Sequence, residues 1–335
     1  MAMKQLTQFR ITKRAIVLLA IGIILLSASI LIAQAIHVNT TASRMAALEL
    51  QKATAAARIV AYDKSRCENN ASIMEANTLT KYSIESGGYT RSYNVHTPAA
   101  YDPARRYPVV ISFDGIEGSG LRMEGYSGLD TLPAIVVYPD ALAGKQGFTA
   151  WQGAPYSVDG ERDVQFVKDL VTKVTTDYCV DTDRTFAVGM SNGGSFAAIV
   201  GCEMGDRIRA IASVSGAYYT TCQQEQKSPS LLVLHSTGDQ QVPFAGVPAR
   251  NLPQIPEWVT RQAMERQCMV TEPATTDGAA SYFNWRDCKE GAIVRFAEVQ
   301  GQPHGWLRMP SQINAPHSTA DYIWKFFEDA VPNSE

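Results

Sequence analysis

The feature that most constrains the fold is a series of short, nearly unbroken apolar runs separated by helical patterns. The runs are "YPVVISF" (107–113), "AIVVYP" (134–139), "TFAVGM" (185–190), "AIASVSG" (210–216), "LLVLHS" (231–236) and "AIVRFAEVQ" (292–300). A strand that is apolar on both faces needs cover on both, and helices supply it. Apolar residues recur at helical spacing over Val164–Tyr178, Asn192–Met204 and Ile255–Cys268, and "STADYIWKFFEDA" reads as an amphipathic C-terminal helix. Strands alternating with helices predict an α/β fold, a mostly parallel sheet with helices on both faces. Ahead of them, "TLTKYSIESGGYTRSYNVHTP" alternates around Gly87-Gly88, which is a β-hairpin signal.

The N-terminal stretch follows a different rule. Lys4, Arg10, Lys13 and Arg14 precede "AIVLLAIGIILLSASILIAQAI", which carries no charge from Ala15 to Ile36. About 20 apolar residues suffice for a helix to cross the roughly 30 Å hydrocarbon layer. Basic residues on its N-terminal side hold that end in the cytoplasm and send the rest outward. The run exceeds the about 7–15 residues of a signal-peptide core, so a transmembrane anchor is the first reading. Ala33-Gln34-Ala35 also fits a small-residue cleavage site, so a secreted protein cut near Ala35 is the alternative. Residues 37–66 are Ala-rich and read as a partly helical stalk. The expected organisation is therefore 1–36 cytoplasmic tip and anchor or signal, 37–66 stalk, and 67–335 working domain.

Charge and cysteine usage narrow the setting. Of 335 residues, 45% are hydrophobic and 19% charged, which suits a large core rather than a disordered chain. Beyond position 36 there remain 26 Lys+Arg against 33 Asp+Glu, so the exported part is acidic. Nucleic acid is excluded as a partner, because it calls for a concentrated basic face. The only membrane contact expected is through the N-terminal helix. All six cysteines (Cys67, Cys179, Cys202, Cys222, Cys268 and Cys288) lie beyond the anchor, where an oxidising compartment favours disulfides. Cys268 and Cys288 flank one short excursion and are the expected pair. No cysteine or histidine cluster has metal-ligand spacing, so neither a metal nor another cofactor is expected.

The chemistry centres on "TFAVGMSNGGSFAAIV" (185–200), where Ser191 stands in G-x-S-x-G between an apolar run and a helical one. In that context the glycines clear space for a sharp strand-to-helix turn that lifts the serine hydroxyl into the open. Asn192 N–H then faces the place where an oxyanion develops. The competing reading is a glycine-rich turn that merely begins a helix. "LLVLHSTGDQQVPFAG" ends a strand in a loop carrying Asp239, suited to orienting a histidine; alone, it is a turn aspartate. "VQGQPHGWL" places His304 in a loop after the last strand. The other histidines are poorer choices: His37 flanks the anchor, His96 ends a hairpin strand, His235 lies within a strand end and His317 begins the final helix. Ser…Asp…His is the chain order of α/β-hydrolases.

From about Cys67 onward the chain resembles feruloyl esterases and the related polyhydroxybutyrate-depolymerase-like esterases. The segments that carry the likeness are "AIVVYPDA", "AWQG", "YCVDTDRTFAVGMSNGGSFAAIVGCE", "RIRAIASVSGAYY", "LHSTGDQQVPFAG", "LPQIPEWV" and "GQPHGW". The resemblance implies an α/β-hydrolase fold with a Ser191 nucleophile, a His304 base and an Asp239 acid working through an acyl-enzyme. One departure stands out. Such esterases have His-Gly after the strand that holds the second oxyanion donor, whereas "ISFDGIEG" has Asp114-Gly115. A backbone N–H of Gly115 or Ile116 can still donate, provided that the Asp114 carboxylate points elsewhere or is hydrogen-bonded.

Trp151 and Trp306 are the candidates put forward to wall a substrate cleft; Tyr218 and Tyr219 could do the same, and core packing is the alternative for each. The function expected is an extracytoplasmic serine carboxylesterase acting on a small-molecule or polysaccharide-linked ester, whether feruloyl, hydroxyalkanoate or cell-envelope. Two alternatives use the same fold: an envelope acyltransferase with the same triad, and an inactive binding protein.

Overall fold

The computed structural model describes residue 67 and residues 75–145, 147–160, 162–220, 228–309 and 319–331. The expected anchor and stalk lie outside the described residues, as does His317. Among the described residues, no helix is long and apolar enough to cross a membrane.

A single sheet of eleven strands organises the described chain. β1 (Leu79–Ser86) and β2 (Tyr89–His96) form the expected hairpin, with Ser86 opposite Tyr89 and both turn glycines at positive φ. That conformation is the one a two-residue hairpin turn requires. β3 (Tyr107–Phe113), β4 (Ile135–Pro139), β5 (Val180–Met190), β6 (Ala210–Val214), β7 (Ser230–Ser236) and β11 (Val294–Val299) are parallel in the order β4-β3-β5-β6-β7-β11. β2 pairs antiparallel with β4 at one side, and β10 (Ala280–Arg286) antiparallel with β11 at the other. The short β8 (Val270–Thr271) and β9 (Thr275–Thr276) pair with β10.

The parallel strands read as unbroken apolar runs because successive side chains enter two different cores. Val109, Ile111, Phe113, Leu231 and Val233 face one core; Val110, Phe186, Val188, Leu232 and Leu234 face the other. The first is closed by α2 (Arg162–Asp177), α3 (Asn192–Glu203) and α4 (Ile255–Glu265), through residues such as Phe166, Phe196 and Trp258. The second is closed by α1 (Gly120–Ser127) and α5 (Thr319–Asp329), through Met123, Phe326 and Phe327. Helices thus cover both faces, as the alternation requires. Cys67 is bonded to Cys179 and Cys268 to Cys288, and Cys202 is disulfide-bonded as well.

Candidate active site

The carboxyl ends of β5, β7 and β11 deliver the three principal side chains to one place. After β5 the chain turns directly into α3 at Ser191, which has φ 57° and ψ −120°. Such a backbone is costly for a non-glycine residue and persists only when its surroundings enforce it. Close packing does so here. A Cβ on Gly189 would run into the Gly193 carbonyl, and one on Gly193 into the Phe113 carbonyl at the end of β3. The glycines of the motif therefore let strand, turn and helix touch backbone to backbone.

His304 Nε2 lies 2.9 Å from Ser191 Oγ, and its Nδ1 lies 2.7 Å from Asp239 Oδ2. With the ring proton on Nδ1, the imidazole donates to the carboxylate and accepts from the serine hydroxyl. The other carboxylate oxygen, Asp239 Oδ1, accepts from the N–H groups of Gln241 (2.9 Å) and Val242 (2.8 Å). Burial by itself would raise the Asp239 carboxyl. The hydrogen bonds from His304 and Val242, with the charge of His304, hold it below the usual carboxylate range instead. The His304 loop is pinned from below: Ser215 Oγ donates to Gly305 O at 2.8 Å and Ser236 Oγ to Gln302 O at 2.7 Å.

His235 is fully buried beside this group, with Nε2 2.9 Å from Val242 O and 3.5 Å from Asp239 Oδ2. Burial lowers its pKa, so it stays neutral, and its Nε2–H donates to the Val242 carbonyl. It packs behind the acid as a structural residue. Asp206 and Asp287, the other acids near these loops in sequence, form no contact with His304 among the hydrogen bonds of the described residues.

The loop after β3 bears on the expected oxyanion donors. Gly115 N–H is turned onto Asp114 Oδ1 at 2.7 Å, so it is engaged by its neighbour's carboxylate. Ile116 N–H has no partner among the backbone hydrogen bonds of the described residues and is the candidate donor of this loop, beside Asn192 N–H at the first position of α3, where helix geometry leaves amides unpaired. Gly115 still matters by size, since a Cβ there would meet Ser191 Cβ at 3.2 Å. The buried Asp114 carboxylate is fully engaged away from the serine. Arg122 Nε reaches it at 2.8 Å, Tyr126 OH at 2.6 Å and Ser119 N–H at 3.2 Å. The charge that would oppose an oxyanion is thereby balanced by a guanidinium. Arg122 and Tyr126, one turn apart on α1, are site residues that sequence reasoning missed; their i, i+4 spacing after an aspartate loop was the available signal.

The two tryptophans part company. Trp151 was expected to wall a cleft, but only 1% of it is exposed. Its ring stacks on Phe196 (4.9 Å, 5°) and makes a T-shaped contact with Phe113 (5.1 Å, 70°), so it is packed into the core. Trp306 is half-buried and, with Arg122, Tyr126, Met190 and Arg308, lines a cavity of about 920 Å³. Met190 immediately precedes the serine, so this cavity adjoins it. Tyr218 is core, stacked on Trp258 at 3.5 Å. Among the described residues, no cluster of three or more His, Cys, Asp or Glu side chains could hold a metal ion.

The strand order, the strained serine turn after β5, and the acid and histidine loops after β7 and β11 define an α/β-hydrolase. Residues 85–268 match the model of a family described as putative esterase, and the chain belongs to that esterase family. A feruloyl esterase D from Neurospora crassa is 24% identical over 281 residues, covering 78% of this chain and 89% of the relative. A bifunctional acetylxylan esterase/xylanase from Neocallimastix patriciarum is 22% identical over 237 residues, 68% of this chain; the chain spans only 32% of that longer protein. Among solved structures, acetyl xylan esterase from Aspergillus awamori shares the fold with a TM-score of 0.58 at 15% identity, covering 75% of this chain and 99% of its own.

Proposed function

We propose that this protein is an extracytoplasmic serine carboxylesterase, held at the membrane by its N-terminal apolar run. The observation that carries the chemistry is the unbroken line Ser191 Oγ–His304–Asp239, at 2.9 Å and 2.7 Å. Ser191 Oγ attacks the ester carbonyl carbon while His304 Nε2 takes its proton. Asp239 holds the ring in the required tautomer and stabilises the imidazolium. The negative carbonyl oxygen is received by Asn192 N–H and Ile116 N–H. The intermediate collapses, His304 returns the proton to the leaving alcohol, and the acyl group stays on Ser191. Water then attacks with His304 as base, releasing the acid and restoring the serine.

The proposed substrates are feruloyl or acetyl esters carried on polysaccharide, by likeness to relatives named as feruloyl and acetylxylan esterases. The cavity beside Met190 and Trp306 has the size and aromatic lining to receive one side of such an ester. Outward location rests on the basic residues before the charge-free run and on the disulfides of the unit beyond it.

The test is labelling with a fluorophosphonate, together with turnover of a panel of feruloyl, acetyl and hydroxybutyrate esters. We expect one labelled peptide, containing Ser191, and loss of both labelling and turnover in Ser191→Ala, by about 10⁶-fold in kcat. Full turnover by Ser191→Ala would refute the mechanism.

A further inference from the structure

We infer that Trp151 is a positioning residue that locks the two oxyanion donors to each other, an inference that rests on the mechanism proposed above. The donors come from separate elements: Ile116 from the loop after β3, Asn192 from the start of α3. Both are stitched to the same tryptophan. Its backbone N–H donates to Asn192 Oδ1 at 2.7 Å, and its carbonyl accepts from Asn192 Nδ2 at 3.2 Å. The asparagine side chain therefore pairs with both backbone groups of one residue, using a donor and an acceptor at once. On the other side, the indole Nε1–H donates to Asp114 O at 3.0 Å, two residues before the Ile116 donor.

The ring repeats this bridge in packing. Phe113, which it meets in a T-shaped contact, leads into the loop after β3, whereas Phe196, on which its face stacks, belongs to α3. The residues beside Trp151 reinforce the lock. Glu117 N–H donates to Thr149 O at 2.9 Å, and Thr149 Oγ1 donates to Gly118 O at 2.9 Å. Gln152 N–H donates to Asp163 Oδ2 at 2.8 Å, which fixes the segment to the first turn of α2. A buried aromatic need not spend a hydrogen bond on a loop carbonyl to fill a core; here the bond lands on the loop whose amide must face the oxyanion. Preorganised donors contribute most to acyl transfer when they cannot relax, and a displacement of about 1 Å can cost about 100-fold in rate.

The experiment removes the N–H and keeps the ring. Trp151 is replaced by 3-benzothienylalanine, in which sulfur takes the place of the N–H, and in parallel by Trp151→Phe. We expect kcat for a feruloyl or acetyl ester to fall about 10-fold or more in the isostere and further in Trp151→Phe, with KM unchanged. Affinity for a boronic acid or trifluoromethyl ketone, which places an anionic oxygen between the donors, should fall by the same factor. The acid limb of the pH–rate profile should not move, because the His304–Asp239 pair is untouched. A raised KM at constant kcat would make Trp151 a substrate wall and overturn the inference. So would a loss of kcat without a matching loss of analogue affinity, or full activity of a folded isostere. Failure of the underlying mechanism appears separately, as wild-type protein that fluorophosphonate does not label at Ser191.

Discussion

In the proposed reaction Ser191 is only as reactive as its base allows, and His304 is only as good a base as Asp239 makes it. The Asp239 carboxylate is buried, ionised, and held by Gln241 and Val242 N–H on one oxygen and by His304 on the other. Replacing it with Asn keeps the size but removes the charge and favours a ring proton on Nε2, facing the serine. Asp239→Asn should therefore lose about 10⁴-fold in kcat. Steady-state kinetics of the variant measure it, and undiminished turnover would assign the acid's role to another group. The same depressed carboxyl contributes stability that is present above the ordinary carboxylate range and fades as pH falls through the folded value.

At the scale of elements, the buried ion pair between Arg91 on β2 and Asp163 in the first turn of α2 carries a second consequence. The two meet at 2.8 Å with 1% and 3% of their side chains exposed, and the guanidinium lies 4.0 Å over the Phe166 ring. Burial pushes the carboxyl up and the guanidinium down, and each partner's charge acts against that shift in the other. Arg91→Met should cost about 3–5 kcal/mol, since it leaves a buried carboxylate uncompensated, and Arg91→Met with Asp163→Leu should recover most of that. Urea denaturation of both variants measures it; equal losses in both would mean that the helix is held by packing alone. This pair also shows where sequence reading ran out. Parallel strands were legible because both of their faces are buried, and the convergence of Ser191, Asp239 and His304 because each follows a strand end. β10, "ASYFNWR", was not, since it pairs antiparallel beside the parallel strands and mixes polar with apolar residues on partly exposed faces. A contact such as Arg91–Asp163, or the closing of Trp151 between Phe113 and Phe196, joins segments far apart in the chain. No local pattern records which aromatic or charge ends inside.

For the whole molecule, the disulfides and the N-terminal run bear on the same question of compartment. One bond ties Cys67 to Cys179 just before β5, across 112 residues, and another closes the 20-residue excursion from Cys268 to Cys288. Such bonds persist where the surroundings oxidise thiols, outside the cytoplasm. In the proposed reading, the charge-free run from Ala15 to Ile36, behind four basic residues, would supply both the route out and an anchor. The protein should therefore sediment with membranes, resist extraction by high salt and alkaline carbonate, and dissolve only in detergent. Its esterase unit should be open to protease added on the outer side. A peripheral protein held by charge would leave at high salt, and the acidic balance beyond position 36 gives it no reason to bind anionic lipid. A soluble form whose N-terminal residue follows Ala35 would replace the anchor with signal cleavage while keeping the outward location. Recovery of the full chain in the cytosol with Cys268 and Cys288 reduced would overturn both.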